Sequence, residues 1–450
     1  MPRNLSLFYL YKHWVIMERK ADILIVGAGA SGLMAAVGAT KILGPSGKVF
    51  VLEKMPRPSR KVMITGKGRC NFTNAKPWNE FAAHIHPKAD FIKPAFYNLT
   101  PEAMISYLQE LGLDTVVERG DRAFPASHSA ADVVDALVRG AEKAGAQIIC
   151  NIEVRSCHHS KDCFVVECSD NQVFTASRLI ICTGGLSYPS TGSTGDGYDF
   201  AKSMGHTVTR LFPSLTALVP KGYKITSQGG HIDRGTPLSE LGKLLCGNQL
   251  KNIGLSLFID GNQILYEFGD MDFTDGGLEG PIGYKISRKA VQALANGAKV
   301  SIEIDLKPAV ELSSLSSRIS RLFDEISKDG RNAAKPYRER FRLLLSKLLP
   351  LSILPAFIRL NPNADHKTLA KHLKSWKMDI VGYVGYERCV VTAGGINLDE
   401  VIAKTLESRI VKGLYFAGEV LDIDADTGGY NLQSAFSTGF LAGMSAARSI

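Results

Sequence analysis

The residues with the clearest chemical meaning are Gly27, Gly29 and Gly32, followed by Glu53. Glycines at this spacing suit the binding of a pyrophosphate. Gly27 permits a tight turn, Gly29 lets the main chain approach the phosphates, and Gly32 lets a helix pack closely on the preceding strand. A helix that opens at this turn faces the anion with unpaired N–H groups and the positive end of its dipole. Glu53 comes about 20 residues later, where a ribose diol needs a carboxylate. The surrounding pattern supplies the elements that such a site requires. The apolar run 21–26 reads as a strand, 30–43 as an apolar helix, and 49–53 as a second strand ending on Glu53. Strand, turn, helix and strand in register predict a dinucleotide site.

Composition sets the outer bounds. The chain has 450 residues, 45% hydrophobic and 22% charged, enough for two or three domains with large cores. No run of 18 consecutive apolar residues occurs, so no membrane span is expected. A net charge of +9 permits an anionic partner without requiring one. The eight cysteines include no C-x-x-C, so a zinc site is not indicated; the one C-x-x-x-x-C, Cys163–Cys168, spans a predicted strand. Reduced thiols in a cytoplasmic protein are the expectation. No Ser-His-Asp order, metal cluster or phosphate-cleaving loop is visible.

Along the chain, residues 1–16 read as an N-terminal extension or a mis-assigned start, expected to be disordered, with Met17 placed as a natural start would be. Residues 17–205 are expected to be the first part of an α/β dinucleotide domain. Helices are predicted at 101–111 and 129–144, strands at 147–155 and 163–168, and a buried strand leading into Gly184-Gly185. Residues 206–308 alternate short apolar runs with Gly, Asn and Asp and predict a β-rich insert, with a turn at 273–281 before a short helix. Residues 309–377 switch to helical periodicity and carry 14 basic against 6 acidic residues, so this module accounts for +8 of the net charge. A returning strand is expected at 378–391. Residues 392–450 then complete the dinucleotide domain with a strand and a final helix at about 433–448.

Several motifs, in order, resemble the BaiN/YhiN-like flavoproteins, a branch of the flavoproteins with two dinucleotide-binding domains. They are GAGASG at 27–32, GKGRCNFTN at 66–74, DRAFPAS at 121–127, TGGLSYPSTGSTGDGY at 183–198, FTDGGLEGP at 273–281, TAGGI at 392–396 and GLYFAGEVLDIDADTGGYNLQSAFSTG at 413–439. The resemblance implies FAD as cofactor. It also implies a discontinuous Rossmann-like FAD-binding domain, an inserted small β-barrel-like domain and a helical sub-insert.

On this footing the adenosine half of FAD would lie on Gly27, Gly29, Ala30, Ser31 and Gly32, with Glu53 and Lys54 at the ribose. Arg60 and Lys61 would neutralise phosphates or flank the ribose; the plainer reading is two solvated loop charges. Thr65, Gly66, Arg69 and Asn71 would run near the flavin, and Thr183 and Gly184 would join them. Val154 resembles the family position whose backbone meets the adenine. Gly418 and Glu419 precede the Gly428–Leu432 turn at the family spacing, so Gly429, Asn431 and Leu432 would meet the isoalloxazine. A helix opening there aims its positive end at the flavin, where negative charge collects on reduction. Candidate acids are Cys70, Asp426 and Tyr430; each also fits a packing role. His128 reads as part of a capped loop.

The resemblance implies oxidoreductase chemistry carried by the cofactor. The leading expectation is NAD(P)H-driven reduction of a conjugated C=C bond, with a uridine of ribosomal RNA as the favoured version. A second Gly-x-Gly-x-x-Gly unit is missing, so NAD(P)H would bind only transiently. Arg338, Arg340, Arg342 and Lys347, close to Lys335 and Tyr337, could hold RNA phosphates, as could Lys367, Lys371, Lys374 and Lys377; an ordinary solvated face is the alternative. Two rival functions remain: a small-amine oxidase that releases hydrogen peroxide, and a flavin-containing RNA-binding factor without enzymatic activity.

Overall fold

The computed structural model describes residues 18–450; the expected extension 1–16 lies outside them. A central sheet is built on the strand Glu18–Val26, which pairs in parallel with Val49–Leu52 on one side and Val173–Ile181 on the other. Gln147–Ile149 extends the Val49–Leu52 edge in parallel. Strand Val173–Ile181 serves two partners on its far edge. Its first half pairs antiparallel with Cys163–Cys168, and its last three residues pair in parallel with Leu414–Phe416, contributed by the far end of the chain. The nucleotide domain is therefore discontinuous in sequence and continuous in its sheet.

Helix Ala30–Leu43 is buried along almost its whole length, which explains its near absence of polar residues. The sheet covers one side and the C-terminal helix Tyr430–Arg448 the other. The two helices meet at bare backbone. A Cβ on Gly38 would sit 2.3 Å from the Phe440 carbonyl oxygen, and one on Gly443 would sit 2.0 Å from that of Ala35. The final helix starts at Tyr430 with Gly429 as its N-cap, three residues before the expected start. Tyr430, Asn431 and Leu432 thus form its first turn.

The expected strand 147–155 is two strands. The chain leaves the parallel sheet after Ile149, runs past Glu53, where the Ile152 N–H donates to the Glu53 carbonyl at 2.9 Å, and re-enters as Val154–Ser160 in a hairpin with Cys163–Cys168.

The insert is a closed ring of six antiparallel strands: Leu218–Pro220, Leu278–Glu279, Asn262–Phe273, Gln249–Ile259, Val300–Asp305 and Trp376–Val384, which returns to the first. It has its own apolar core, separate from that of the nucleotide domain. The turn at 273–281 leads into Gly280–Ala295, a helix of 16 residues and not a short one. Helices Leu312–Lys328, Tyr337–Ser346, Leu354–Leu360 and Leu369–Lys374 lie between two neighbouring barrel strands. The chain passes between domains through the pair Phe212–Ser214 and Val391–Ala393.

The lysine series 367–377 does not share one helical face. Its helix ends at Lys374, and Lys377 lies on a barrel strand. Lys374 pairs with Asp305 at 2.6 Å and Lys377 with Glu303 at 2.8 Å, while Lys367 and Lys371 are exposed. Among the described residues no helix is long and apolar enough to cross a membrane, and no group of His, Cys, Asp and Glu could hold a metal.

Candidate cofactor and active site

A cleft with about 1340 Å³ of free space opens beside the carboxyl ends of the parallel strands. Its first wall is the glycine turn, where each glycine has its own reason. Gly27 has φ of +100°, and a Cβ there would lie 2.6 Å from the Cys182 carbonyl oxygen. A Cβ on Gly32 would collide with the Gly27 carbonyl oxygen at 1.8 Å. At Gly29 a Cβ would meet nothing within 4 Å, so the space it would fill is cleft. Gly29 caps helix Ala30–Leu43 without any side-chain acceptor, which leaves the first-turn N–H groups for a ligand. Gly27, Gly29, Ala30 and Ser31 line the cleft; Gly32 supports the turn from behind.

Glu53 lies on the same wall. Its two carboxylate oxygens each accept one backbone N–H, from Ala28 and Met55, both at 2.9 Å. Burial pushes its pKa up, opposed by those two N–H groups. Each oxygen keeps a lone pair for a hydroxyl donor. Ile152 and Val154 line the cleft beside it.

The three basic side chains of this wall differ in what they can do. Lys54 is bound to Asp196 at 2.5 Å and to Thr194. Lys61 is bound to Glu419 at 2.6 Å and to Ser187. Arg60 forms no ion pair or side-chain hydrogen bond among the described residues. Arg60 is therefore the cation with spare donors for a phosphate.

The opposite wall comes from distant segments. Thr183, Gly184, Gly418, Glu419, Asn431 and Leu432 all line the cleft. Gly418 has φ of +79°, and its N–H donates to Thr438 Oγ1 at 3.0 Å. Asn431 staples the preceding loop: its amide donates to the Ala425 carbonyl at 2.8 Å, and its Oδ1 accepts from the Ala425 N–H at 2.9 Å. Glu419 accepts from Ser187 Oγ at 2.7 Å and from the Thr392 N–H at 2.9 Å, which ties the segment after Gly184 and the crossing out of the insert to one carboxylate.

The loop 65–71 is only partly at the cleft. Thr65 lines it, while Gly66, Arg69 and Asn71 do not. Arg69 turns away, bonded to Glu118 and to His128 Nδ1 at 2.9 Å. Asn71 Oδ1 is buried without a hydrogen-bond partner among the described residues, as is Thr183 Oγ1. Gly429 also stands outside the cleft wall; its φ is +98°, and a Cβ would lie 2.4 Å from the Thr73 carbonyl carbon.

The three acid candidates lie outside the wall as well. Cys70 is fully buried, which pushes its thiol up to about 12. Asp426 is pulled down to about 2 by its hydrogen bonds to His84 (2.9 Å) and His86 (3.4 Å), which outweigh the opposing effect of burial. Such a group is a carboxylate, not an acid, near neutral pH. The Tyr430 ring stacks on His84 with centroids 4.2 Å apart, and burial raises its pKa.

Sequence reasoning passed over Ser59, Asp196, Thr191, Ser193, Val390 and Val391, all on the cleft wall. The motif at 183–198 contained three of them and was the available signal. Val390 and Val391 come from the crossing back out of the insert and carried none.

The donor set fits FAD. An open cradle at Gly29, a free helix start, a carboxylate on the strand end and an uncommitted Arg60 lie along one cleft.

The comparisons agree. The family model described as HI0933-like protein Rossmann domain matches residues 21–445. A 3-dehydro-bile acid delta(4,6)-reductase of Clostridium scindens is 30% identical over 435 residues, covering 94% of this chain and 98% of the relative. Ribosomal RNA dihydrouridine synthases of Haemophilus influenzae and Escherichia coli are each 30% identical, covering 96% and 94% of this chain and 100% and 96% of their own lengths. The chain belongs to the HI0933-like Rossmann-domain family, the BaiN/YhiN-like group of FAD-dependent oxidoreductases that its motifs resemble.

Proposed function

We propose that this protein reduces a conjugated carbon–carbon double bond with electrons from NADPH or NADH, and that a uridine in ribosomal RNA is its favoured substrate. When bound, FAD supplies hydride transfer in two halves, from nicotinamide to flavin and from flavin to the double bond. The observation that carries the reading is the cleft itself, which has donors suited to a dinucleotide and a far wall drawn from distant segments, the crossing residues Val390 and Val391 among them. Two relatives named for reduction of ring double bonds, a bile acid reductase and a dihydrouridine synthase, support the reaction type.

This chain's residues would bind and orient. Gly29 and the first turn of its helix hold the pyrophosphate, Arg60 adds charge, and Glu53 takes the ribose hydroxyls. The helix that opens at Tyr430 contributes Asn431 and Leu432 to the wall, so its positive end would favour the negative charge of a reduced flavin held there. The preference for RNA rests on exposed cations of the helical module. Arg338, Arg342 and Lys347 are exposed and form no ion pair among the described residues, whereas the Tyr337 ring packs on Phe323 and Phe341. Such a face binds phosphates with an affinity that falls as salt rises.

Anaerobic titration of the FAD-loaded protein with NADPH or NADH tests the reading. Bleaching of the flavin, followed by dihydrouridine formation in added ribosomal RNA, is expected. A flavin that stays oxidised with both nicotinamides overturns it, and peroxide released with a small amine would install the oxidase in its place. Charge reversal at Arg338, Arg342 and Lys347 should flatten the salt dependence of RNA binding, by about one unit of log–log slope for each phosphate that is no longer neutralised.

A further inference from the structure

A second cavity lies on the seam between the nucleotide domain and the insert, and it shares no lining residue with the cofactor cleft. It holds about 850 Å³ of free space, within the range of small-molecule sites. The two cavities stand back to back across the segment 421–425. Leu421 and Ile423 line the cofactor cleft, whereas Asp422 between them lines the second cavity. Successive side chains of an extended segment point to opposite sides, so one short stretch of chain serves both. Asp424, two residues on, is buried and holds Arg288 of helix Gly280–Ala295 at 2.8 Å.

The cavity faces one cation and one carboxylate that lack an opposite charge at contact. Arg210 stands just before the crossing strand Phe212–Ser214. Its Nη1 donates to Asn296 Oδ1 at 2.7 Å and its Nη2 to the Ala295 carbonyl at 3.0 Å, both neutral partners. Asp422 accepts from the Thr209 hydroxyl at 3.0 Å, also a neutral partner. Both residues line the cavity, yet neither forms an ion pair among the described residues, so a gap separates the two charges. Burial raises the Asp422 pKa, and the Thr209 hydroxyl opposes it. Arg288, on the same wall, donates only its Nε to Asp424, which leaves both Nη groups without a hydrogen bond among the described residues. Its guanidinium is steadied over the Phe212 ring, 5.7 Å from the centroid. Gln292, one turn further along the same helix face, also lines the cavity and has an amide with no hydrogen bond among the described residues.

We propose that this cavity is a second ligand site and that it takes a small zwitterion, an amino acid with a free carboxylate and a free ammonium group. The carboxylate lies against Arg210 and the unused Nη groups of Arg288, with the Gln292 amide as a further donor. The ammonium lies against Asp422. Charge decides the class. An anion alone meets the carboxylate of Asp422, and a cation alone meets two guanidinium groups. An uncharged ligand leaves Arg210 and Asp422 without opposite charges, whereas a zwitterion supplies both at once. Arg288 and Asp424 balance each other, so the site as a whole is neutral, as the ligand is. Planar guanidinium donors match a carboxylate in parallel hydrogen bonds, and the N–H donors of an ammonium suit the lone pairs that Thr209 leaves open on Asp422. The inference goes beyond the reductase reading and does not depend on it, because the ligand binds outside the cofactor cleft.

The test is isothermal titration calorimetry on the FAD-loaded full chain with glycine, β-alanine and 4-aminobutyrate, whose two charges are set progressively further apart. Acetate and methylammonium, each with one of the charges, are the controls. At least one of the zwitterions should bind with a Kd of about 1 mM or tighter, and both controls about tenfold or more weaker. Arg210→Gln and Asp422→Asn should each weaken binding of that zwitterion about tenfold or more. No binding of any zwitterion, acetate or methylammonium binding as tightly as the zwitterion, or unchanged affinity in either folded variant overturns the proposal. Arg210 is exposed, so Arg210→Gln decides if Asp422→Asn does not fold. Nicotinamide bleaching of the unaltered protein is read separately. Zwitterion binding without bleaching would keep this site and sink the reductase, whereas bleaching without zwitterion binding would do the reverse.

Discussion

The glycine turns at Gly29 and Gly429 both cap a helix that opens at the cleft, yet they are glycines for opposite reasons. Around Gly29 the space a side chain would fill is empty, and its φ of −78° suits any residue. Around Gly429 that space is occupied by the Thr73 backbone, and φ is +98°. One glycine keeps room for a ligand, whereas the other lets two pieces of the same protein touch. The same distinction separates the charged groups. Arg60 forms no ion pair among the described residues, whereas Lys61 is spent on Glu419.

Matched substitutions would break or sharpen this contrast. The largest effect is expected for Gly429→Ala. A forced left-handed φ and a clash with backbone should lower stability by about 2–4 kcal/mol, with or without FAD, as read by denaturant melts of both forms. A loss seen only in the FAD-loaded form would show that Gly429 serves the ligand after all.

Next is the acid limb of Asp426. Its folded pKa of about 2 lies below the ordinary 3.8, so its contribution is fully present above pH 4 and lost as pH falls toward 2. The unaltered protein should lose about 2 kcal/mol over that window, and Asp426→Asn should not. Parallel stability curves for the two proteins would remove the carboxylate–imidazole cluster from the account.

Gly29→Ala is the counterpart of the first variant. Stability of the apoprotein should change by about 0.5 kcal/mol or less, because alanine replaces glycine at a cap with free space. FAD affinity should fall about tenfold or more, since the methyl group occupies the approach of the pyrophosphate. Equal FAD affinity, measured by fluorescence recovery on release, would mean that the pyrophosphate passes elsewhere.

The smallest effect is expected for Thr183→Val. Removing a buried hydroxyl that has no hydrogen-bond partner among the described residues should leave the apoprotein as stable or slightly more so, and FAD affinity unchanged, because the hydroxyl is closed off from the cleft. Destabilisation of the apoprotein by about 1 kcal/mol or more would show that the hydroxyl has a partner of its own.

Much of the nucleotide end was legible because its signal is local. Gly27, Gly32 and Glu53 act through a turn, a helix and a strand that follow one another, and periodicity with glycine spacing reports such units directly. The apolar helix 30–43 already implied burial on both sides. The balance of charges was not legible. Lys54, Arg60 and Lys61 look alike in the chain, and only pairing with Asp196 and Glu419 leaves Arg60 as the uncommitted one. The same holds for Lys374 and Lys377, which are spent on barrel acids. Cys70 and Tyr430 looked reactive from their neighbours in the motif, but burial and stacking face them inward.

By itself, the sequence determined that this chain builds a Rossmann turn for a dinucleotide, that the domain is interrupted, and that the interruption is first β-rich and then basic and helical. Those properties depend on residue types at short spacing. The tertiary structure alone decided which cations remain free, which glycines face open space, and that Glu419 is reached by Ser187, Lys61 and Thr392 from segments far apart in the chain. Local sequence fixes φ, ψ and periodicity, whereas a partner's identity depends on where long-range packing brings it, and no short window of sequence carries that information.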